Sequence, residues 1–364
     1  MNILYCITGL GGGGAEKVVV DLADQMSQLG HCVKIAYLKG NIVVRPQNTE
    51  IELVYLGLES LINIKSAYKN YKNLILDFKP EVVHAHMVHA NIFARLSRKF
   101  YAIPKLVCSA HSSNEGGYMR MLAYRLTHSL ANVTTNVSKA ASQNFIKLGA
   151  VPTGGIKTVY NGVDLTKFEK IHANNLIRHN LNISEGTPLF IAVGRFHEAK
   201  DYPNLIHAFS ILKSSLIYEV KKPKLIIVGD GDLRETLEKK ILELELTEDI
   251  YLLGRRNDIS ELLNVADFFV LSSKYEGLPT VIIEAMACEK YVIATDCGGS
   301  AELLGATGKL VAIQNSDILA SAMEEALKLS VENLKDNGLK VRSRVEEHFS
   351  LNTAVSEWLK IYES

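Results

Sequence analysis

The amino-acid sequence predicts an α/β protein with two doubly wound domains that face each other across a cleft. Its 364 residues are enough for two domains of ordinary size. Short apolar runs alternate with amphipathic helical patterns in two consecutive series, and residues 165–187 between the series carry little β pattern. Near-continuous apolar strands separated by helices indicate parallel sheets that are covered on both faces.

The first series contains seven predicted strands that are rich in Val, Ile and Leu. Their sequences are NILYCIT, CVKIAYL, IELVYLG, EVVHAHM, KLVCSAH, NVTTNVS and KTVYNGVD. Amphipathic segments separate most of them. In AEKVVVDLADQMSQLG, for example, Leu22, Met26 and Leu29 recur at helical spacing.

The second series contains six predicted strands and ends in an amphipathic helix, LNTAVSEWLKIYES. The strands are PLFIAVG, KLIIVGD, IYLLG, DFFVLSS, YVIATD and KLVAI. Helical patterns such as LRETLEKKILELE and DISELL lie between them. In open α/β sheets ligands bind beyond the carboxyl ends of the strands, so the candidate site residues are sought in those loops.

Composition argues against a secreted disulfide scaffold and against a membrane-spanning chain. The five cysteines are odd in number, scattered and mostly inside apolar runs, which indicates buried free thiols in a reducing cytosol. The first residues show no signal-peptide pattern, and no apolar stretch approaches the length of a membrane span. Residues 1–170 hold 19 Lys+Arg against 11 Asp+Glu, and residues 171–364 hold 21 against 29. A basic first half suits an anionic lipid or substrate, and chance variation between domains explains it equally well.

A glycine run follows the first predicted strand and opens a helix. Glycines allow close backbone approach, and a helix start presents free N–H groups to an anion. Gly9, Gly11 and Gly14 satisfy the dinucleotide pattern G-x-G-x-x-G formally, but no acidic residue ends the second strand at LKG to bind a ribose. The run therefore predicts a phosphate-contacting loop rather than a nicotinamide site.

Two cations follow the first strand of the second series. Arg195 and Lys200 precede a predicted helix that begins near Tyr202. A fork-shaped guanidinium and a point-charge ammonium beside a helix N-terminus suit a diphosphate. Further along, Asp230 and Asp232 form a D-x-D triplet that could hold a metal. Glu235 follows Asp232 by three residues, however, and we interpret Asp232 as a helix cap.

The strongest signal is the segment EGLPTVIIE, which runs from Glu276 to Glu284. Gly277 and Pro279 predict a helix start at about Pro279, so Glu276 stays in a loop while Glu284 lies inside the helix. One segment can then present two carboxylates to the hydroxyls of one ligand. A helix-start acid and a surface glutamate would explain each residue singly, but not the two together.

Two histidines end strands of the first series, His86 in VVHAHM and His111 in VCSAHSS. A lone histidine is usually structural. His111 is the better site candidate because Ser112, Ser113, Asn114 and two glycines follow it.

Taken together, these segments resemble the retaining glycosyltransferases of family 4, which have the GT-B fold of two Rossmann-like domains. The matching pieces occur in order along essentially the whole chain: GGGAE, VYNGVD at 159–164, GRFHEAKD at 194–201, VGDGDLR at 228–234, EGLPTVIIEAMA at 276–287 and GGSAEL at 298–303. The combination of E-x7-E with the upstream Arg and Lys is specific, although no single piece is.

The resemblance implies a role for each matching residue. Arg195 and Lys200 would neutralise the leaving diphosphate, Glu276 would contact the transferred sugar and Glu284 the ribose. His111 would orient the donor sugar, and residues 254–257 would meet the nucleobase. The full set of donor-binding residues implied in this way is Gly12, Gly13, Gly14, Arg195, Lys200, Gly254, Arg255, Glu276, Gly277, Leu278, Pro279, Thr280 and Glu284.

The resemblance also implies how the domains divide the work. Residues 1–165 would form the acceptor-side domain, with the helix at about 351–364 packed back onto it, and residues 166–350 would bind the nucleotide-sugar. No cofactor and no metal are implied, because Arg, Lys and a helix N-terminus supply the electrostatic stabilisation. EGLP replaces the frequent EGFG, as is familiar among bacterial surface-polysaccharide enzymes of the family, and Cys288-Glu289-Lys290 stands where Gly and Pro often occur.

The predicted activity is retaining transfer of a hexose or N-acetylhexosamine, with a UDP-sugar favoured, onto a glycan acceptor in O-antigen or capsule synthesis. A lipid-diphosphate-linked acceptor would place a cytoplasmic protein peripherally on the inner membrane, with no nucleic-acid partner. The cations expected to face that membrane are Lys65, Lys69, Lys72, Arg95, Arg98 and Lys99.

The rival interpretations are weaker. The same transfer to a soluble acceptor, a sugar-nucleotide epimerase or a glycogen-type phosphorylase would use the same architecture, but a phosphorylase is much longer and needs a pyridoxal phosphate lysine. A non-catalytic binding protein would not need the intact set of Arg195, Lys200, Glu276 and Glu284. A nicotinamide oxidoreductase lacks its acidic residue after the second strand.

Overall fold

The computed structural model describes residues 1–171 and 175–364. The chain divides into two compact units, Met1–Gly162 with Leu351–Ser364, and Val163–Ser350. The first division falls at 162/163, three residues before the boundary expected from the sequence.

The first unit is built on a seven-stranded parallel sheet in the order β3-β2-β1-β4-β5-β6-β7. The strands are β1 (Asn2–Ile7), β2 (Cys32–Tyr37), β3 (Glu52–Tyr55), β4 (Val82–His86), β5 (Lys105–Ala110), β6 (Val133–Asn136) and β7 (Lys157–Thr158). The helices are α1 (Gly14–Gln28), α2 (Ile64–Phe78), α3 (Val88–Ser97), α4 (Tyr118–Thr127) and α5 (Lys139–Lys147). All seven predicted strands are present, and KTVYNGVD shortens to two residues.

The second unit is built on a six-stranded parallel sheet in the order β10-β9-β8-β11-β12-β13. The strands are β8 (Leu189–Val193), β9 (Lys224–Val228), β10 (Ile250–Leu252), β11 (Phe268–Leu271), β12 (Tyr291–Thr295) and β13 (Lys309–Val311). The helices are α6 (Asn175–Asn180), α7 (Tyr202–Lys213), α8 (Leu216–Lys221), α9 (Arg234–Glu243), α10 (Ile259–Val265), α11 (Thr280–Ala287), α12 (Ser300–Leu304), α13 (Ser316–Leu327) and α14 (Val331–His348). Helix α6 lies in the segment that had been expected to connect the domains.

The last helix, α15 (Leu351–Glu363), belongs to the first unit. Trp358 and Tyr362 are 4% exposed and pack in the core cluster that contains Ile3, Tyr5 and Ile7 of β1. The intervening side chains of β1 pack in a second cluster with residues of α2 and α3. Helices thus cover both faces of the sheet, as near-continuous apolar strands require.

Local expectations were wrong at two helix ends. The predicted Asp232 cap does not form, because α9 starts at Arg234 with Leu233 as N-cap and without a side-chain cap. Leu29, assigned to the apolar face of α1, is its C-terminal cap and is 54% exposed. Among the described residues, no helix combines the length and apolar character needed to cross a bilayer.

Candidate functional site

The sheet of the second unit has a topological switch point between β8 and β11, which are paired through Phe190 and Phe268. From β8 the chain moves to β9 and β10 on one side, and from β11 it moves to β12 and β13 on the other. Ligands of open α/β sheets bind where strand order reverses in this way, beyond the carboxyl ends.

Lys200 follows β8 and Glu276 follows β11, and the two side chains meet at this point. Lys200 Nζ lies 2.6 Å from Glu276 Oε1, and the hydroxyl of Ser273 donates to the same oxygen at 2.7 Å. The side chains are 21% and 13% exposed. The site therefore presents a partly shielded cation and carboxylate in direct contact.

Backbone contacts hold the two loops together independently of that ion pair. Lys274 N–H donates to the carbonyl of Ala199 at 2.8 Å, and the hydroxyl of Ser272 donates to the carbonyl of Lys200 at 2.8 Å. Asp201 takes a left-handed conformation with φ 48° and ends the short turn at Lys200. These contacts fix the backbone of Lys200, and with it the point from which its side chain extends.

Arg195 extends from the same β8 loop, and its side chain is exposed. In the described part of the chain it has no hydrogen bond or ion pair to its guanidinium, which remains available for a ligand. The loop itself is pinned, because Phe196 N–H donates to the carbonyl of Asp230 at 2.9 Å.

Gly229 has to be glycine for this packing, since a Cβ there would stand 1.9 Å from the carbonyl oxygen of Gly194. Its N–H donates to the carbonyl of Gly254, which brings the β10 loop to the same edge. Arg255 follows and is exposed. The residues predicted to meet phosphate and nucleobase therefore occupy neighbouring loops of one sheet edge.

The E-x7-E segment folds as a loop and a buried helix. Gly277, Leu278 and Pro279 are buried, Pro279 is the N-cap of α11, and Thr280 is its first residue. Helix α11 thus starts one residue later than expected. Glu284 lies inside the helix and is 5% exposed. Helix α11 begins four residues after Glu276, and the amides of its first turn form a partial positive charge.

Gly298 supports that loop, and the sequence interpretation gave it no individual role. With φ 53°, it packs so closely that a Cβ would lie 2.4 Å from the carbonyl oxygen of Glu276. Gly299 N–H donates to the carbonyl of Gly277 at 2.9 Å. The glycine pair of GGSAEL is the signal that could have identified this role.

In the first unit, the glycine loop follows β1, next to the switch point between β1 and β4. Gly12, Gly13 and Gly14 are exposed, and Gly13 is the N-cap of α1 with no side-chain cap. The carboxylate of Glu16 lies against Gly13. The loop has the exposed backbone and helix start predicted for a phosphate-contacting segment.

His111 follows β5 and belongs to a row of three histidines with His84 and His86, here called the histidine row. His86 Nδ1 lies 2.9 Å from His111 Nε2, and the rings of His84 and His86 are 3.9 Å apart. Burial lowers the pKa of His84 and of His86 well below the ordinary value, and lowers that of His111 to about 4. The row is therefore neutral near pH 7.

Glu115 shapes the loop after His111 and was missed from the sequence. Its carboxylate accepts the backbone N–H of His111 at 2.9 Å, and the backbone of Glu115 has φ 49°. Burial raises the pKa of its carboxyl, and hydrogen bonds from the backbone of His111, Val88 and Ser112 oppose that rise. One feature of the sequence could have identified Glu115: it is the only acidic residue between positions 101 and 150.

The expected basic surface of the first unit needs correction at Arg95. This side chain is 0% exposed, donates to Thr134 Oγ1 at 2.7 Å and lies over the ring of Tyr124. Arg98 is partly buried and bonds the carbonyl of Leu130. Lysines 65, 69, 72 and 99 are exposed, so they alone remain of the predicted membrane-facing set.

Two parallel-sheet Rossmann-like units are the architecture of the GT-B fold. The family profile described as "Glycosyltransferase Family 4" matches residues 12–167, and that described as "Glycosyl transferases group 1" matches residues 174–341. The chain belongs to these glycosyltransferases and has the GT-B fold.

Three known proteins illustrate the likeness. An uncharacterized glycosyltransferase of Methanocaldococcus jannaschii, MJ1059, is 31% identical over 250 residues, which are 64% of this chain and 60% of that protein. The N-acetylgalactosamine-N,N'-diacetylbacillosaminyl-diphospho-undecaprenol 4-alpha-N-acetylgalactosaminyltransferase of Campylobacter jejuni is 27% identical over 339 residues, 88% of this chain and 89% of that protein. The structure of Anabaena HepE in complex with UDP superposes with a TM-score of 0.85 at 20% identity, over 100% of both chains. The chain thus spans about three fifths of the length of MJ1059 and nearly all of the other two.

Proposed function

We propose that this glycosyltransferase moves a hexose or N-acetylhexosamine from a UDP-sugar, with retention, to a lipid-diphosphate-linked glycan in bacterial surface-polysaccharide synthesis. The observation that carries the proposal is the contact of Lys200 with Glu276 at the switch point, beside the start of α11. This contact holds a cation that can bind a phosphate, Lys200, next to a carboxylate that can bind a sugar, Glu276.

The donor chemistry follows from these charges. As the bond between the sugar C1 and the β-phosphate oxygen breaks, negative charge grows on the diphosphate. Lys200, the exposed Arg195 and the first amides of α11 stabilise that charge without reorganisation. Glu276 accepts hydrogen bonds from sugar hydroxyls and Glu284 from the ribose.

Retention requires that the acceptor enters on the face from which the diphosphate leaves. The departing β-phosphate oxygen takes the proton of the acceptor hydroxyl, and the acceptor oxygen forms the new bond to C1 on that face. No carboxylate then serves as nucleophile, and the reaction needs neither metal nor cofactor.

The first unit has its own roles in this proposal. The backbone of the loop Gly12–Gly14 binds phosphate, and His111 donates a hydrogen bond to a sugar hydroxyl. The acceptor is assigned to the first unit. The relative from Campylobacter jejuni, whose name specifies a diphospho-undecaprenol acceptor, supports the choice of a lipid-linked glycan.

A lipid-linked acceptor implies work at the inner face of the cytoplasmic membrane, and α2 offers a surface for it. Lys65, Lys69, Lys72 and Leu76 of α2, together with Ile62 in the 3₁₀ turn just before it, follow one another at spacings of three and four residues, all exposed and none acidic. Residues at this spacing form one stripe of a helix, here called the α2 stripe. Its apolar ends are prominent, with Ile62 91% exposed.

Apolar neighbours extend the α2 stripe. Leu61 is 82% exposed, and Phe100, which is 73% exposed, lies beside α2 with its ring 6.5 Å from that of Tyr68. Lysines between exposed apolar side chains suit an anionic lipid surface, into which the apolar groups insert while the ammonium groups meet phosphates.

The donor assignment is tested by thermal shift with UDP-, GDP- and ADP-sugars. A donor at 100 times its Kd stabilises the folded protein by about 2.7 kcal/mol, or roughly 5–10 °C in Tm. We expect the UDP-sugar to give this shift and Glu284→Gln, which preserves the buried volume, to lose about half of it or more. The absence of a response to any nucleotide-sugar would refute the donor assignment.

The membrane assignment is tested by sedimentation with phosphatidylglycerol or phosphatidylcholine vesicles at low salt. Each lysine near an anionic surface contributes about 1 kcal/mol, so reversing the three stripe lysines to Glu should weaken binding by more than about 100-fold. The control reverses Lys239, Lys335 and Lys340, three exposed lysines of the second unit. Equal binding of both triple variants would show that net charge, and not the α2 stripe, determines association.

A further inference from the structure

The histidine row contains a contact that the proposed chemistry does not use. His86 ends β4, is 0% exposed, and bonds His111 through Nδ1 at 2.9 Å. We infer that His86 is a positioning residue, which holds His111 in the tautomer protonated on Nδ1 and so turns His111 into a hydrogen-bond donor. The role for His111 rests on the proposed function; the contact between the rings does not.

The second nitrogen of His86 determines which ring carries the shared proton. His86 Nε2 is buried and has no hydrogen-bond partner among the described residues. A proton there would be an N–H donor buried without an acceptor, the rarest kind of orphaned polar group in folded proteins. Burying Nε2 of His86 without a proton costs less free energy than burying it as an N–H. The proton of His86 therefore resides on Nδ1, which donates a hydrogen bond to His111 Nε2.

The state of His111 follows directly. Its Nε2 accepts from His86, and a neutral imidazole with an unprotonated Nε2 carries its proton on Nδ1. Within the part of the chain that the structure describes, Nδ1 has no hydrogen-bond partner, and the residue is partly exposed. This nitrogen therefore presents a neutral N–H to a ligand, which suits a sugar hydroxyl or a phosphate oxygen.

Burial keeps both rings in the neutral form that this arrangement needs. The pKa of His86 is lowered first by burial and then by its two histidine neighbours, and burial lowers the pKa of His111 to about 4. A protonated His111 would have two donors, and the directed bond from His86 would be lost. The pair thus acts as one unit from neutral pH upward.

His84 provides a matched control on the same strand. It is equally buried, and both of its nitrogens are engaged: Nδ1 with Tyr362 Oη at 2.6 Å and Nε2 with Ser109 Oγ at 2.6 Å. It makes no hydrogen bond to His111 among the described contacts. Loss of His84 disturbs the core and the packing of the His86 ring, but it removes neither of the two atoms that form the bond in question.

The test compares wild type, His86→Leu, His86→Asn and His84→Leu by long-range ¹H–¹⁵N correlation of ring-labelled histidine at pH 7.5. Wild-type His111 should be protonated on Nδ1. His86→Leu should give a mixture of tautomers, His84→Leu should not, and His86→Asn, whose amide can occupy the place of Nδ1, should restore the single tautomer.

Turnover of the UDP-sugar should follow the tautomer. At metal sites, losing the partner that orients a ligating histidine costs about 10–100-fold in activity, and we take the same scale for His111. We expect that loss in His86→Leu and its recovery in His86→Asn. Protonation of wild-type His111 on Nε2, or an unchanged tautomer in folded His86→Leu, would overturn the inference. If no donor binds at all, the spectra still decide the pairing, and only the role in transfer fails.

Discussion

Replacing Lys200 by Ala separates the two tasks assigned to its ammonium, pairing with Glu276 and holding a diphosphate. The charged groups of the pair lie 2.6 Å apart, and the side chains of Lys200 and Glu276 are 21% and 13% exposed. The burial of this ion pair is therefore intermediate between that of a surface pair and that of a buried pair. Exposed pairs contribute about 0–1 kcal/mol, whereas removing one partner of a buried pair costs about 3–5 kcal/mol. Glu276 still accepts the hydrogen bond from the hydroxyl of Ser273 in the variant, which limits the cost. We therefore expect Lys200→Ala to lower the free energy of unfolding by about 2 kcal/mol.

For a unit of this size that loss corresponds to a Tm lower by roughly 4–8 °C, measured by differential scanning fluorimetry. The effect on chemistry should be larger. One preorganised donor aimed at developing charge contributes about 3–4 kcal/mol to the transition state, or roughly 10²–10³ in turnover. Turnover is followed as UDP release with a synthetic lipid-diphosphate acceptor, at a temperature where both proteins are folded.

Lys274→Ala is the matched control. Lys274 is 20% exposed, lies in the same pair of loops and forms an ion pair with Asp201 at 3.6 Å. We expect it to lower Tm without reducing turnover more than a few-fold. If Lys200→Ala kept turnover within about threefold of wild type, its ammonium would be structural. Equal losses in both variants would indicate general damage to the loops.

Four further outcomes are expected. Gly298→Ala should lower both Tm and turnover, because the new Cβ would collide with the carbonyl of Glu276. The control Gly186→Ala, also at positive φ but in open space, should lower only Tm. Equal turnover in the two variants would refute the role of Gly298. Glu284→Gln should raise the Kd for UDP in calorimetry by about tenfold or more, since a charge-assisted bond to the ribose is lost, and an unchanged Kd would exclude that contact. Activity should survive dialysis against EDTA, and its restoration by added Mg²⁺ alone would contradict a metal-independent mechanism. The free energy of unfolding should fall as the pH drops. The histidines of the row have pKa values in the folded state below the unfolded value of about 6.5, so their contribution is complete above that pH and is lost below it. The loss is up to about 2 kcal/mol per histidine at pH 5, which urea unfolding midpoints at pH 5 and 7 would measure.

Much of the fold was predictable because buried parallel strands show themselves in sequence. A strand covered on both faces is a short, nearly continuous apolar run, and each of the thirteen runs assigned as strands coincides with a strand of the structure. The division of EGLPTVIIE into a loop carboxylate and a helical one was also predictable, since Gly and Pro mark the boundary locally.

Predictions failed where tertiary packing overrides local pattern. Asp232 and Glu235 have the spacing of a capping box, but the loop before them is fixed on Phe196, and α9 begins only at Arg234. Arg95 looks like one more cation in a basic helix. It is buried because residues of α4 and β6, about 30–40 positions away, surround it with hydrogen-bond acceptors.

The sequence by itself determined the strands, the residue types at their carboxyl ends and the family to which those residues point. Only the tertiary structure decided which of them touch: Lys200 with Glu276, and His86 with His111. The physical reason is strand order. Residues 76 and 25 positions apart become neighbours because β8 pairs with β11 and β4 with β5, and lateral pairing is set by how whole helices and strands pack, which no local pattern encodes.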